Sequence, residues 1–376
     1  MIYQELKRRL FTKYVLFSII GIFLLTAGLN AILIGENKNS PEVLKEEAVY
    51  SGKMTEDKLW LGLKKVRDEN SNEIRYQSLV TFVEGLVRVY PGVLYYENRI
   101  EDFPDAYAKN FYECWRKKSI ALIEKIPKKD QSKALKEINK VKTPFVKYPG
   151  YYLWNAGIDN LKVIYLVIIF MITFFAAATY SDSIEDGSME IIYATKLGKR
   201  MMVVRLMPVM IYGLLLTLVA TLSTVAIIGL ATGLQALKSS LKVFALFSIG
   251  NFTLGDVILL MFVSEFLGVL ALTTIMGWIS YKTAKTNLAT SIGIAINIFY
   301  IIMALFINIP WRFSQFVLNA LPMASSQVIN EVSGFHFDMY LWRPYAVMVS
   351  MVVVFIAFGM LLHYAIYSNG HKYNRK

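Results

Sequence analysis

The sequence predicts an all-α polytopic membrane protein, with six transmembrane helices and a mainly helical extracytoplasmic domain between the first two. Three observations predict it. Apolar residues make up 55% of the 376 residues and charged residues only 18%, against roughly 45–50% and 25% in soluble domains. The apolar excess is gathered into six blocks, each near the roughly 20 residues a helix needs to cross a bilayer. Between the first two blocks lies a stretch, 36–160, that is too polar to span and long enough to fold as a domain.

The elements follow in order. Residues 1–13 read as a basic amphipathic helix lying in the cytosolic membrane interface. Tyr3, Leu6 and Leu10 share one face, and Lys7, Arg8, Arg9 and Lys13 lie off it. The first transmembrane helix occupies 14–35. It exceeds the roughly 7–15 apolar residues of a secretory leader and no convincing cleavage site follows, so it reads as a retained span. In 36–160, Thr55 caps a helix whose inner face carries Leu59, Leu63 and Val66, and Asn72 caps a second with Tyr76, Leu79, Val80, Val83 and Val87, stopped by Pro91-Gly92. A third starts near Pro104 with an apolar stripe of Tyr107, Phe111, Trp115, Leu122 and Ile126, and a lysine-rich fourth covers 129–141. Phe145, Tyr148, Tyr151, Tyr152 and Trp154 precede the second span and read as an interfacial aromatic belt.

Residues 161–376 carry transmembrane helices 2–6, expected at 161–180, 201–230, 257–281, 288–307 and 345–367. Pro208 should kink the third or end a lead-in helix. Two connections stand out: 181–200, and an outer segment, 308–342, holding Trp311, Phe313, Phe316, Val317, Leu321 and Trp342 together with Pro310 and Pro322. The latter is too apolar for a loop and too broken for a span, and fits re-entrant or interfacial short helices. With the N-terminus inside, the short inner flanks hold thirteen Lys and Arg against five outside, which places both termini in the cytosol of a plasma-membrane protein. The net charge of +12 therefore belongs to membrane flanks, and nucleic acid is excluded as a partner. The domain itself is balanced, with 22 basic and 19 acidic residues, and Cys114, the one cysteine, can form no internal disulfide.

Two places carry mechanism. In 181–200, acidic Asp182, Glu185, Asp186 and Glu190 lead and basic Lys196, Lys199 and Arg200 trail, a polarity that favours a helix through its dipole. Ile184, Ile191 and Ile192 suit a helix half in the interface. The run Glu185-Asp186-Gly187-Ser188-Met189-Glu190-Ile191-Ile192, a small turn and Arg200 opening the next span resembles the signature of type-2 ABC exporter permeases, of the branch with a large domain between the first two spans. Where many members have a proline in the turn, this chain has Thr195-Lys196. The resemblance implies that 181–200 is a coupling segment contacting an ABC ATPase subunit through Asp182, Glu185, Asp186, Gly187, Glu190, Lys196, Lys199 and Arg200. It also implies a second permease chain and export of an amphiphilic cargo, such as a lipid, peptide or antimicrobial compound.

The second place is Glu265, about 13 Å into the fourth span by helical rise, a depth where a carboxylate is costly and marks a functional candidate. Its alternative role is structural, hydrogen-bonded to Ser264 or Thr273 of its own helix. No Gly-x-x-x-x-Gly-Lys-[Ser/Thr] loop occurs, and His336, His363 and His371 have no metal-ligand spacing. The chain is thus expected to be no enzyme and to bind no cofactor, ATP and Mg belonging to the partner. The competing reading is an ABC-type sensor or immunity receptor whose outer domain captures an antimicrobial peptide without transport. A membrane-embedded enzyme ranks third, because Glu265 stands almost alone within the spans.

Overall fold

A computed structural model describes residues 2–35, 41–68, 89–90, 104–195, 197–306, 312–333, 337–338 and 341–373. Six helices long and apolar enough to cross a membrane appear, as the sequence predicts: 13–34, 151–185, 198–232, 254–283, 286–304 and 344–368. They do not contribute equally. Two-thirds of the fourth span's apolar window is buried inside the protein, against about a sixth of the last. The fourth and second spans are therefore the interior of the bundle, and the first, fifth and sixth are its lipid-facing periphery. Leu16, Phe17, Leu24, Val353, Ile356 and Met360 are correspondingly exposed, a distribution that suits a hydrocarbon surround and no aqueous one.

Among the described residues the helices are α1 (Ile2–Leu10), α2 (Lys13–Ile34), α3 (Pro41–Val49), α4 (Glu56–Asp68), α5 (Asp105–Lys109), α6 (Phe111–Ile123), α7 (Lys128–Asn139), α8 (Tyr151–Glu185), α9 (Ser188–Ala194), α10 (Gly198–Val204), α11 (Met207–Thr232), α12 (Leu254–Thr283), α13 (Thr286–Phe306), α14 (Arg312–Asn319), α15 (Val328–Ser333) and α16 (Arg343–Tyr373). Local chemistry sets several ends. Thr12 caps α2 by accepting from Val15 N at 3.3 Å. Thr253 and Asp256 close a reciprocal capping box on α12. Pro208 sits in the first turn of α11, where it removes no helical bond. Of the two readings of Pro208, the lead-in helix is the right one, and that helix is α10.

The domain between α2 and α8 is helical, with one addition. The two-residue strand β1 (Gly52–Lys53) pairs antiparallel with β2 (Val146–Lys147), fastening the domain's start to its end. A second such pair, β3 (Phe337–Asp338) with β4 (Leu341–Trp342), precedes α16. Leu59 and Leu63 are buried on α4, while the side chain of Val66, the helix expected from Asn72 to Pro91-Gly92 apart from Val89 and Tyr90, and the side chains of Trp311, Phe313 and Trp342 lie outside the described residues. The stripe expected from Tyr107 to Ile126 needs correction. The helix breaks at Asn110, and the buried face of α6 runs Phe111, Trp115, Ser119, Ile123 at strict four-residue steps. Leu122 and Ile126 are only half-buried.

The aromatic belt is also corrected. Phe145, Tyr151 and Trp154 are buried protein core, and α8 begins ten residues before the span the sequence marks. The cause is the 233–253 connection between α11 and α12, which lies over them. Trp115 Nε1 donates to Leu246 O at 2.8 Å, Trp154 Nε1 to Gly233 O at 3.2 Å, and Tyr151 packs on Phe244 at 5.2 Å between ring centroids. The domain is thus welded to the bundle through apolar burial, at about 1.5–3 kcal/mol for each large side chain.

Candidate functional site

The 181–200 segment is not one helix. The first five residues complete α8, whose end is turned by Gly187 at φ 76°, a left-handed conformation that costs other residues strain. Asp186 Oδ1 then accepts from Ser188 N at 2.8 Å at the start of α9. Hydrogen bonds from Ser188 hold the Asp186 carboxyl below the usual carboxylate range. Gly198 makes the second turn, where a Cβ would sit 2.0 Å from the Ile192 carbonyl oxygen and 3.0 Å from Tyr193 Cα. These are backbone atoms and cannot yield as a side chain can. Gly198→Ala is therefore expected to displace α9 and to lower stability by about 1–3 kcal/mol, read as a lower melting temperature and faster proteolysis near residue 195.

The short α9 has two unlike faces. Met189 and Tyr193 are buried in a small apolar cluster with Tyr180, Met202, Leu206, Tyr281, Leu362 and Ile366, which are the ends of three spans and the lead-in helix. Tyr193 Oη and Tyr281 Oη lie 3.0 Å apart, Tyr281 Oη donates to Ala365 O at 3.3 Å, and Tyr180 Oη to Met202 O at 2.7 Å. The opposite face presents Glu190 and Ile191, and Ile191 is 72% exposed. Leu197 is exposed in the turn beyond. The exposed Ile191, beside acidic Glu190, and the exposed Leu197 form a compact knob, joined to α8, α12 and α16 through the buried face.

The residues named from the sequence divide accordingly. Glu190 and Arg200 are on the surface. Asp182 and Glu185 are exposed, but both bind Thr286 at the head of α13: its Oγ1 donates to Asp182 Oδ1 at 2.8 Å or to Glu185 Oε2 at 3.0 Å. They tie 181–185 to the fifth span. Asp186 and Gly187 shape the turn, and Lys199 lies over the Tyr367 ring at 5.5 Å. Lys196 lies outside the described residues. Ile184 and Ile192 are half-buried in the protein, while Ile191 is exposed. The sequence reading missed the Tyr193–Tyr281 tie and the outward Ile191. A four-residue step from Met189 to Tyr193 was the available signal, since it leaves Ile191 opposite.

A second set of contacts surrounds this segment. Glu5 of α1 is buried and meets Arg8 at 2.9 Å, Arg9 at 3.1 Å and Arg205 at 4.0 Å. Arg9 also donates to Thr179 O at 3.0 Å near the end of α8, and Arg205 Nη1 donates to Ser183 Oγ at 2.5 Å. The surface helix is thereby fixed to both flanks of the segment.

Glu265 is fully buried, and its partners correct the sequence reading. Ser326 Oγ donates to its Oε2 at 2.9 Å, and Ser325 Oγ lies 3.3 Å away. Ser264 and Thr273 bond backbone carbonyls instead, at Ser325 O and Val269 O. The partners come from a 3₁₀ turn, Pro322–Gln327, between α14 and α15. This turn reaches the middle of α12, and a Cβ at Gly268 would fall 1.9 Å from Ser325 Oγ. The described middle of the 308–342 segment thus packs its irregular backbone inside the protein, against the fourth span. Glu265 Oε1 has no hydrogen-bond partner among the described residues, and Glu265 forms no ion pair there.

These features define a six-span, all-α membrane protein with a short, rigidly held surface helix between spans two and three. No family model, curated protein or solved structure matches the chain.

Proposed function

We propose that the chain is the permease subunit of an ABC exporter, driven by ATP hydrolysed in a separate subunit that docks on α9. The observation that carries this reading is the two-faced α9. Its inner face is clamped to the ends of spans two, four and six, and its outer face offers Ile191 beside Glu190. A push on Ile191 is transmitted to three spans through Tyr193 and Met189, because packed clusters move as units. Such a clamp has little use in a helix that only connects two spans. The resemblance of 185–200 to type-2 exporter permeases supports the same assignment and supplies the second permease chain and the amphiphilic cargo. Counted flanking charge supports a plasma-membrane orientation with α1, α9 and both termini in the cytosol.

The test is association. Tagged chain extracted in mild detergent from its native membrane should bring a nucleotide-hydrolysing subunit in near-stoichiometric amount. Glu190→Lys together with Ile191→Glu should reduce its recovery at least tenfold, the loss expected of an apolar anchor at an interface centre, without changing the melting temperature of the free chain. Recovery of the chain with no ATPase, or of the ATPase undiminished by the double substitution, would defeat the proposal.

A further inference from the structure

Beside α1 lies a cleft of about 440 Å³ to which the 181–200 segment contributes Asp182, lined also by Arg8, Arg9, Tyr14, Phe174 and Phe175. Its volume falls in the range of small-molecule sites, roughly 300–1,000 Å³. Its two ends differ chemically. At one end stand the guanidinium groups of Arg8 and Arg9, with the buried Arg205 behind them. Glu5 is shared among all three, so this end keeps an excess of positive charge. Arg8 is 58% exposed and gives Glu5 a single hydrogen bond, leaving most of its five donors unused among the described residues. At the other end is an aromatic wall. Tyr14 and Phe175 stack in parallel at 5.9 Å, Phe175 leans on Tyr212 at 4.7 Å, and Phe174 and Tyr14 are each about half exposed. Asp182 is the one carboxylate of the lining, and Thr286 Oγ1 lies 2.8 Å from it.

The cleft's position adds to its chemistry. It spans the α1–α2 junction and the last third of α8, where the apolar spans give way to charged residues. Tyr3 and Phe11 of the same region are 73% and 83% exposed, as suits aromatic residues at a bilayer boundary. A ligand here has its charged end at the arginines and its apolar end in hydrocarbon.

We propose that this cleft binds one phospholipid of net negative charge, its phosphate held by Arg8 and Arg9 and its glycerol and upper acyl chain lying on the Tyr14–Phe175 wall. Arginine suits a phosphate through paired, charge-assisted donors. The site depends only on the membrane fold and stands whether or not an ATPase docks on α9. Because α1 is fixed to both flanks of the 181–200 segment, a lipid seated here stiffens that segment and makes it responsive to membrane composition.

Native mass spectrometry of the full chain, released from detergent containing a phosphatidylglycerol and phosphatidylcholine mixture, tests this. The wild type should retain one phosphatidylglycerol in preference to phosphatidylcholine. Arg8→Gln should weaken retention about tenfold, the loss of one charge-assisted contact. Ala178 also lines the cleft, and Ala178→Phe, which fills it without changing charge, should abolish retention. Lys7→Gln, on the exposed face of the same helix, should leave it unchanged. An equal fall in Arg8→Gln and Lys7→Gln would show diffuse surface attraction and overturn the site, as would full retention in Ala178→Phe. Displacement of the lipid by millimolar inorganic phosphate would assign the arginines to a free anion and overturn the lipid reading.

Discussion

Glu5→Gln is expected to lower the stability of the chain by about 3 kcal/mol, close to the cost of removing one partner from a buried ion pair. The substitution preserves volume and removes only the charge. Glu5 and Arg205 are 3% and 2% exposed, so solvent cannot replace what is lost, and Arg9 and Arg205 would be left facing each other without a counter-charge. Burial pushes the Glu5 carboxyl up, but the Arg8 hydrogen bond and the charges of Arg8, Arg9 and Arg205 outweigh it and hold it below its ordinary value of 4.5. A group with a depressed native pKa contributes stability that is complete above its ordinary value and is lost as pH falls through the native one. The gap between wild type and Glu5→Gln should therefore be full at pH 7 and shrink below about pH 4.5. Melting curves across that range decide it. Equal melting temperatures at pH 7 would mean that the cluster does not hold α1. The consequence reaches the 181–200 segment: without Glu5, Arg9 loses the carboxylate that orients it on Thr179 O, and Arg205 the one nearest its bond to Ser183.

The spans and the break before Pro208 were legible in the sequence because each rests on a local cause. A run of about twenty apolar residues has one economical fate, and proline within a helix has two. What was not legible depends on residues distant in the chain. For Glu265 the sequence offers only Ser264 and Thr273 of its own helix, because its actual partners, Ser325 and Ser326, lie some sixty positions away. The aromatics of 145–154 read as an interfacial belt because the 233–253 connection, which covers them and makes Phe145, Tyr151 and Trp154 core, lies some ninety positions further on. Ile191 misleads differently. Its neighbours Met189 and Tyr193 turn inward, so on a helix of two turns an isoleucine must face out, against the usual reading of an apolar residue. That mismatch between residue and environment is also the reason α9 is read as a docking surface, since isoleucine gains nothing from water. The segment's charges, by contrast, were legible as a polarity but not as contacts, because Asp182 and Glu185 find their hydroxyl on α13.

Lys242→Met is expected to stabilise the chain at neutral pH by about 1–4 kcal/mol, the gain seen when buried charge yields to apolar volume. Lys242 is fully buried in the seam between α6 and the 233–253 connection, with its Nζ 5.8 Å from the Trp115 ring centroid. Nζ has no hydrogen-bond partner among the described residues. Burial pushes its pKa down from 10.5 to about 7. Between those values the unfolded chain binds the proton that the folded chain has released, so stability rises with pH across the window and the full penalty is felt below it. Wild type should therefore gain stability from pH 7 to pH 10, and Lys242→Met should remove part of that slope. Lys147 supplies an internal control. Burial lowers it to about 7 as well, against a countering pull from Glu47, so the variant should retain a residual rise in the same window. Denaturation of the two proteins at pH 6 and pH 10 separates the possibilities. A gain that is large at pH 6 and nearly gone at pH 10 confirms that a buried, unpaired ammonium strains this seam. A gain of equal size at both would locate the effect in packing, and a loss at pH 6 would show that the ammonium has a partner strong enough to justify its burial.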